Sequence, residues 1–538
     1  MTVTLNSRKD FTLANFRRVA AGGEAVKIGP AARRAMASAR KSFIALLDSD
    51  RTQFIYGTTS GAGPQAKVAI PPAEQRRRAN QWRVNRQHGS GFGGGDLPER
   101  VVRGVVFARL ANFIEGNAKT RPVIAERIAS MLRRPMPALP ASGQVGAGEI
   151  LPLAHVMSAM PDGDMEEGEP MALINGSPVS AAMAADAAAF ARPRLELAEQ
   201  VFALSIEAMS APMEAYDPDL VHLWGDPYEG EAIRRINSLL AGNQKKGRRF
   251  YQAPVSWRIL PRVLGAARRA IATMEDVAEI SLSSVTDNPV YVLPDRKHPL
   301  GRAISTGGYH NGAAYPAIDA VNAAFADLVT LADHHTTKMQ NADVSGLPPG
   351  LVRPGAEGRG TGGLGFIQIG FGEEARHAAQ RTFLPPSEGG GYGQNDVASP
   401  TAFAFQKHMT ANRCLDSAMA ILAVVASQAF HATDRQAPRK LRDTLAAIRA
   451  IVPPYEGARR RNRGKELEAL RDAFAGAVES GDLLRPKGRT AARKTPAKKT
   501  AARKSPAKKT SAKKATAKRK TTARRKSPAR KAAARSRA

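Results

Sequence analysis

Four stretches rich in Ala and Leu, Glu196–Met209, Leu260–Ile280, Ala313–His334 and Thr410–Ala432, carry apolar residues at helical spacing over several turns each. Strand-like runs are few and short. Such stretches are buried by packing helix on helix, so a mainly α, long-helix bundle is expected. A length of 538 residues suits two or three ordinary domains or one large helical body, and an apolar fraction of 43% permits a sizeable core. A small α/β portion is expected at the start. There Ala25-Val26-Lys27-Ile28 reads as a strand, and Gly29-Pro30 opens a helix with Phe43, Leu46 and Leu47 on its buried face. The expected organisation is 1–195 as an N-terminal domain bearing the candidate site loops, 196–484 as a central and C-terminal helical bundle, and 485–538 as a disordered basic tail.

The single cysteine, Cys414, excludes an intramolecular disulfide and a cysteine-based metal cluster, which points to a cytoplasmic compartment. Met1–Asp10 lacks the apolar core of a signal peptide. The most apolar stretch, Met419–Phe430, is too short to span a bilayer and reads as a buried helix, so no membrane association is expected.

Past Leu484 the composition changes abruptly. From Lys487 to Ala538 there are 22 Lys or Arg and no acid, whereas the rest of the chain holds 58 basic against 48 acidic residues. A short unit recurs: Thr495-Pro496-Ala497-Lys498-Lys499, Ser505-Pro506-Ala507-Lys508-Lys509 and Ser527-Pro528-Ala529-Arg530-Lys531. Like charges and the lack of apolar side chains keep such a stretch extended by itself. It resembles the C-terminal tails of linker histones and bacterial histone-like proteins. Nonspecific nucleic-acid binding by counterion release is therefore expected, through Lys498, Lys499, Lys508, Lys509, Arg530 and Lys531 among others, with the nucleoid as a further address. Phosphate on the Ser or Thr beside Pro would weaken that grip.

Two glycine patterns imitate a dinucleotide fingerprint. Gly89-x-Gly91-x-x-Gly94 and Gly358-x-Gly360-x-x-Gly363 both lack a preceding strand, so both read as loops. Asp333-His334-His335 lacks the i,i+4 spacing of helical metal ligands, and no metal is expected.

A more informative series runs through the body. It comprises Tyr56-Gly57-Thr58-Thr59-Ser60-Gly61-Ala62-Gly63, the run Gly143 to His155, Ala172-Leu173-Ile174-Asn175-Gly176-Ser177 and Tyr251-Gln252-Ala253-Pro254-Val255-Ser256-Trp257-Arg258. Thr286-Asp287-Asn288-Pro289, Val344-Ser345-Gly346-Leu347-Pro348 and Gln394-Asn395-Asp396-Val397-Ala398-Ser399 complete it. In this order the segments resemble the aromatic amino acid lyases, the histidine and phenylalanine ammonia-lyase family, from about Phe11 to Ala432. The resemblance implies a mostly α homotetramer whose active sites mix loops from several subunits. It implies elimination of ammonia from an aromatic amino acid, or migration of the amino group, by way of a methylidene-imidazolone made from an internal Ala-Ser-Gly. It also places Tyr56 at the catalytic base, Asn175 beside the electrophile and Arg258 at the substrate carboxylate, where a bidentate fork suits the ligand. His88, Gln252 and Asn395 fall on substrate-binding positions.

The pattern breaks at its centre. Family members have Gly-x-Val-Gly-Ala-Ser-Gly-Asp-Leu-x-Pro-Leu-Ala-His, and here Ala147 is followed directly by Gly148 and Glu149. Neither Ala147 nor Gly148 has a β-hydroxyl to lose, so the electrophile is not expected to form and no cofactor is assigned. Ala141-Ser142-Gly143 lies upstream, in register with the approach segment. Val255 and Asn395 also depart from the family, which has a tyrosine and a Glu or Gln there. Three readings follow. The scaffold carries out a different reaction on an amino-acid-like molecule with Tyr56 and Arg258, joined by Glu149. Alternatively, it is a silent relative tethered to nucleic acid, or a conventional lyase or aminomutase that cyclises at Ser142.

Overall fold

Proline at the first position removes an amide that would have no helical partner anyway, and Gly29-Pro30 indeed starts a helix, Pro30–Ser49. The strand before it, β2 (Ala25–Ile28), pairs in parallel with β1 (Thr2–Leu5), Thr2 opposite Ala25 and Leu5 opposite Ile28. Val3, Leu5, Val26 and Ile28 alternate inward onto the core. Phe43 and Leu47 are buried as expected, while Leu46 is half-buried at the edge of the same cluster. Tyr291 closes that cluster, edge-on to Phe43, from a short antiparallel pair, β3 (Val290–Val292) with β4 (Arg302–Ile304). The computed structural model describes residues 2–81, 93–143, 146–243, 247–248, 252–358, 360–385, 393–456 and 461–481.

The centre of the body is built from α1 (Pro178–Ala208), α2 (Leu260–Ser283), α3 (Ala314–Gln340), α4 (Leu364–Ala378) and α5 (Thr401–Thr433). Helices α3 and α5 pack along their lengths, α1 lies against α2 and α5, and α4 rests on α3 and α5. Of the four sequence-predicted stretches, two fall inside these helices and two overrun by one capping residue, Met209 and Ala313. Helix α5 has the length and apolarity to cross a membrane, and 94% of its most apolar window is buried inside the fold.

Helix α1 spans the expected division of the chain. It runs unbroken through the boundary at 195/196, and residues 1–489 form one compact unit. Pro193, which reads as a stop, sits within it, and the Ala-rich half before Pro193 has too few large side chains to show a helical period. Nearly all of α1 is buried, so its charges are paired. Asp186 accepts from Arg100 at 2.7 Å, Arg194 reaches Asp416 at 2.8 Å and Glu199 meets Arg268 at 2.6 Å. Breaking such a pair leaves an uncompensated buried charge, which is why the helix tolerates these residues only together.

Candidate active site

The turn that follows Gly143 is built on backbone that side chains resist. Gly148 has φ +72° and Glu149 φ +52°, after which the chain enters the helix Ile150–Met157. Gly148 lies against the Asn175 amide so closely that a Cβ there would stand 3.0 Å from Asn175 Oδ1. The Gly176 amide donates to Gly148 C=O at 3.2 Å, which locks the two segments together. Asn175 is buried, its Nδ2 lies 3.8 Å from Met171 Sδ, and its Oδ1 has no partner among the described residues. A third segment joins through Arg109, whose guanidinium donates to Asn175 C=O at 2.7 Å and pairs with Asp287. Ser177 N–H donates to Thr286 Oγ1 at 3.0 Å beside it.

Glu149 caps the central helix. Its carboxylate accepts from the Val179 amide at 2.7 Å, the Ser180 amide at 2.9 Å and the Ser180 hydroxyl at 2.5 Å. These amides are the open donors of the first turn of α1, where an acid is favoured. The Ser180 hydroxyl lies 3.4 Å from Ser399 Oγ, which brings in the end of the Gln394–Ser399 segment. With its oxygens engaged, Glu149 serves as a structural acceptor. Burial pushes its carboxyl up from 4.5 to about 7, against the pull of the three donors. A carboxyl raised on folding contributes stability that is present below its unfolded pKa and is lost as pH rises through the folded one. The melting temperature should therefore fall between pH 4.5 and 7 from this group. Glu149→Gln, which keeps the shape but cannot ionise, should flatten that fall; an unchanged pH profile would show that Glu149 does not titrate there.

Tyr56 stands at the mouth of its loop, half-buried, with Gly63 N–H donating to its hydroxyl oxygen at 3.0 Å. The next residue, Gly57, has φ +66°, and a Cβ on it would come within 2.6 Å of Met171 Cε. Met171 thus links the Tyr56 loop to Asn175, one helical turn away. A cavity of about 260 Å³ behind the loop is lined by Thr58, Gln75, Glu167 and Met171 among others.

Arg258 stands elsewhere. It ends the short helix Val255–Arg258 and lines a separate cavity of about 260 Å³ with Glu214, Tyr216, Gln252 and Trp257. Gln252 is exposed there, and Val255 is 55% exposed. None of this cavity's lining residues also lines the one behind the Tyr56 loop. Asn395 is half-buried in the segment leading to α5. His88 and the tail residues Lys498, Lys499, Lys508, Lys509, Arg530 and Lys531 lie outside the described residues. Of the Asp333-His334-His335 run, His335 is a core residue stacked on Trp257 at 3.7 Å.

Arg109 and Met171 carry no motif that singles them out. A signal for Arg109 does exist, since a guanidinium in the apolar run Val101–Ala111 must be paired if that run is buried. Ser142 packs against Gly94, where a Cβ would come within 2.3 Å of Ser142 Oγ. Its neighbour Ala141 donates to Gly95 C=O at 2.9 Å and accepts from Gln406, which holds the segment against the 94–97 strand-like stretch.

Comparison with known proteins finds relatives along most of the chain. The family model for aromatic amino acid lyases matches residues 11–169 and 162–450. Histidine ammonia-lyase of Deinococcus radiodurans is 27% identical over 511 residues, covering 89% of this chain and 94% of that protein. The enzyme of the same name from Geobacillus thermodenitrificans is 30% identical over 375 residues, 63% of this chain and 71% of its own. Among solved structures, histidine ammonia-lyase from Trypanosoma cruzi superposes with a TM-score of 0.76 at 19% identity, over 89% of this chain and 94% of that one. Tyrosine aminomutase from Streptomyces globisporus gives 0.75 at 23%, over 90% and 100%.

Proposed function

The chain belongs to the aromatic amino acid lyase family, a family of carbon–nitrogen lyases, and from that premise we propose that it acts on an amino acid or a related small molecule without a methylidene-imidazolone. The residues present do not fit that group. Ring closure needs a serine between an alanine and a glycine, and Ala147 runs straight into Gly148. The observation that carries the reading is the pairing of a turn without any hydroxyl at 146–149 with an Asn175 amide that is buried against it and has a free Oδ1. A side chain kept polar in that position, at the cost of an unmade hydrogen bond, is poised for a ligand.

In this reading Tyr56 is the base, Asn175 orients the reacting group, and Arg258 pairs with the carboxylate, with Gln252, His88 and Asn395 around the ligand. Because Arg258 lines a cavity apart from Tyr56 and Asn175 on one chain, the complete site needs a second copy, which supports a homotetramer. The basic tail adds nonspecific affinity for nucleic acid, in the cytoplasm.

Intact mass spectrometry of the purified, folded chain tests the central claim. The expected mass is that of the unmodified sequence. A loss of two waters would show that a ring forms, and would return the chain to conventional lyase chemistry.

A further inference from the structure

Lys119 is held where a lysine is costly on three counts. Its backbone stands at φ +53°, in the left-handed region that a Cβ disfavours. Its side chain is fully buried, and among the described residues the ammonium makes one hydrogen bond of a possible three, to Pro289 C=O at 2.9 Å. Burial lowers the amine to about 8; of the charges that act on it, Asp287 alone is opposite, and Arg109 and Arg40 are like. Asp287 is itself paired with Arg109, and its Oδ2 has no hydrogen-bond partner among the described residues. A buried charge so thinly compensated costs stability, and a methionine would fill the same space without it. Stability therefore gives no reason for lysine here.

What the side chain does is join segments. A Cβ on Gly168 would stand 3.3 Å from Lys119 Cε, 3.3 Å from Thr58 Oγ1 and 3.4 Å from Phe43 Cε1. Lys119 and Thr58, the latter two residues beyond Tyr56, thus close on one point. Thr58 is buried and its Oγ1 has no partner among the described residues, so packing rather than a side-chain hydrogen bond seats it. The far end of the lysine is bonded to Pro289, two residues beyond Asp287, and the Asp287–Arg109 pair leads on to Asn175 C=O at 2.7 Å. The backbone of Lys119 is fixed as well. Arg40 Nη1 donates to Lys119 C=O at 2.9 Å and to Glu167 C=O at 2.7 Å, beside Gly168. The Lys119 amide donates to Gly116 C=O at 2.9 Å, and Asn117 exchanges hydrogen bonds with Tyr291 at 3.0 and 3.1 Å. One side chain, anchored at both ends, therefore connects the Tyr56 loop with the 286–289 segment.

We infer that Lys119 is a positioning residue: its side chain sets the Tyr56 loop at a fixed spacing from the segment that holds Asn175. The inference rests on the reading of Tyr56 and Asn175 as parts of one site. Lys119 acts through Thr58 on one side and through Pro289, Asp287 and Arg109 on the other. Length and charge are both needed. The methylenes fill the gap at Gly168, and the ammonium keeps their end at Pro289.

Hydrogen exchange read by mass spectrometry on the full chain tests this with Lys119→Met, which keeps the length and drops the charge. In the wild type the amides of Thr58, Thr59 and Ser60 donate to Ile55 C=O, that of Gly176 to Gly148 C=O and that of Ser177 to Thr286 Oγ1. In the variant both sets should exchange about tenfold faster, the size expected for one lost charge-assisted hydrogen bond, while α5 exchanges as before. The melting temperature should not fall, since a buried charge is removed. Lys119→Gly, which accepts φ +53°, takes its place should the methionine variant not fold. Unchanged exchange at either set overturns the inference. So does acceleration that extends to α5 with a fall in melting temperature, or failure of both variants to fold, because Lys119 then belongs to the fold alone. No arm needs a ligand, so a failure here leaves the proposed roles of Tyr56 and Asn175 standing, and their failure in ligand binding would leave this result standing.

Discussion

A chain ending at Leu484 is expected to pass unretained over immobilised double-stranded DNA at low salt, where the full-length chain stays bound. The tail's 22 Lys or Arg lie within 52 residues without an acid, whereas the rest carries a net charge of only about +10. Each phosphate neutralised releases counterions, so the logarithm of affinity falls by roughly 0.9 per phosphate for each decade of salt. Even six to ten engaged phosphates cost about 10³–10⁵ in affinity between 50 and 200 mM salt. The full-length chain should show that slope for DNA of any sequence, and the truncated chain a slope near zero. Melting temperature should be the same for both, because a stretch of Lys, Arg, Ala, Ser, Thr and Pro adds no apolar core. Retention with an undiminished salt slope after truncation would place the affinity on the body instead.

The helices that were legible in the sequence are those whose own residues settle the matter. Gly29-Pro30 fixes a helix start by local chemistry, and the Leu- and Ala-rich runs of α2, α3 and α5 keep a period that only a helix satisfies. The first half of α1 was hidden because burial on every side erases the polar face on which periodicity depends. At the site, Asn175, the 146–149 turn and the 286–289 segment, all parts of the ordered motifs, lie in one place. Arg258, in the same series, lines another cavity, and the order of motifs along a sequence carries no such geometry. Glu149 was legible as an acid beside the turn, but its role was not, because the amides it caps belong to α1 about thirty residues later.

Asp287→Ala is expected to destabilise the folded chain by about 3–5 kcal/mol in urea unfolding, since it strands buried cations. Arg109 is fully buried against Asp287, and Lys119 lies close by with its ammonium donating to Pro289 C=O at 2.9 Å. Burial lowers Lys119 to about 8, with Arg109 and Arg40 pushing the same way and Asp287 opposing them. A base depressed on folding contributes stability that is present above its unfolded pKa and is lost as pH falls through the folded one. The wild type should therefore lose stability from this group as pH drops from about 10.5 to 8. Without Asp287 the depression deepens, so the deficit of the variant keeps growing below pH 8 and narrows toward pH 10. Replacing the pair by apolar side chains, Arg109→Met with Asp287→Leu, should recover much of the loss, because no charge is then left alone. Stability and site must then part company in the double variant. It no longer has the guanidinium that holds Asn175 C=O, so ligand affinity should stay low although the fold is restored. Equal recovery of both would mean that Arg109 holds the fold together but does not position Asn175.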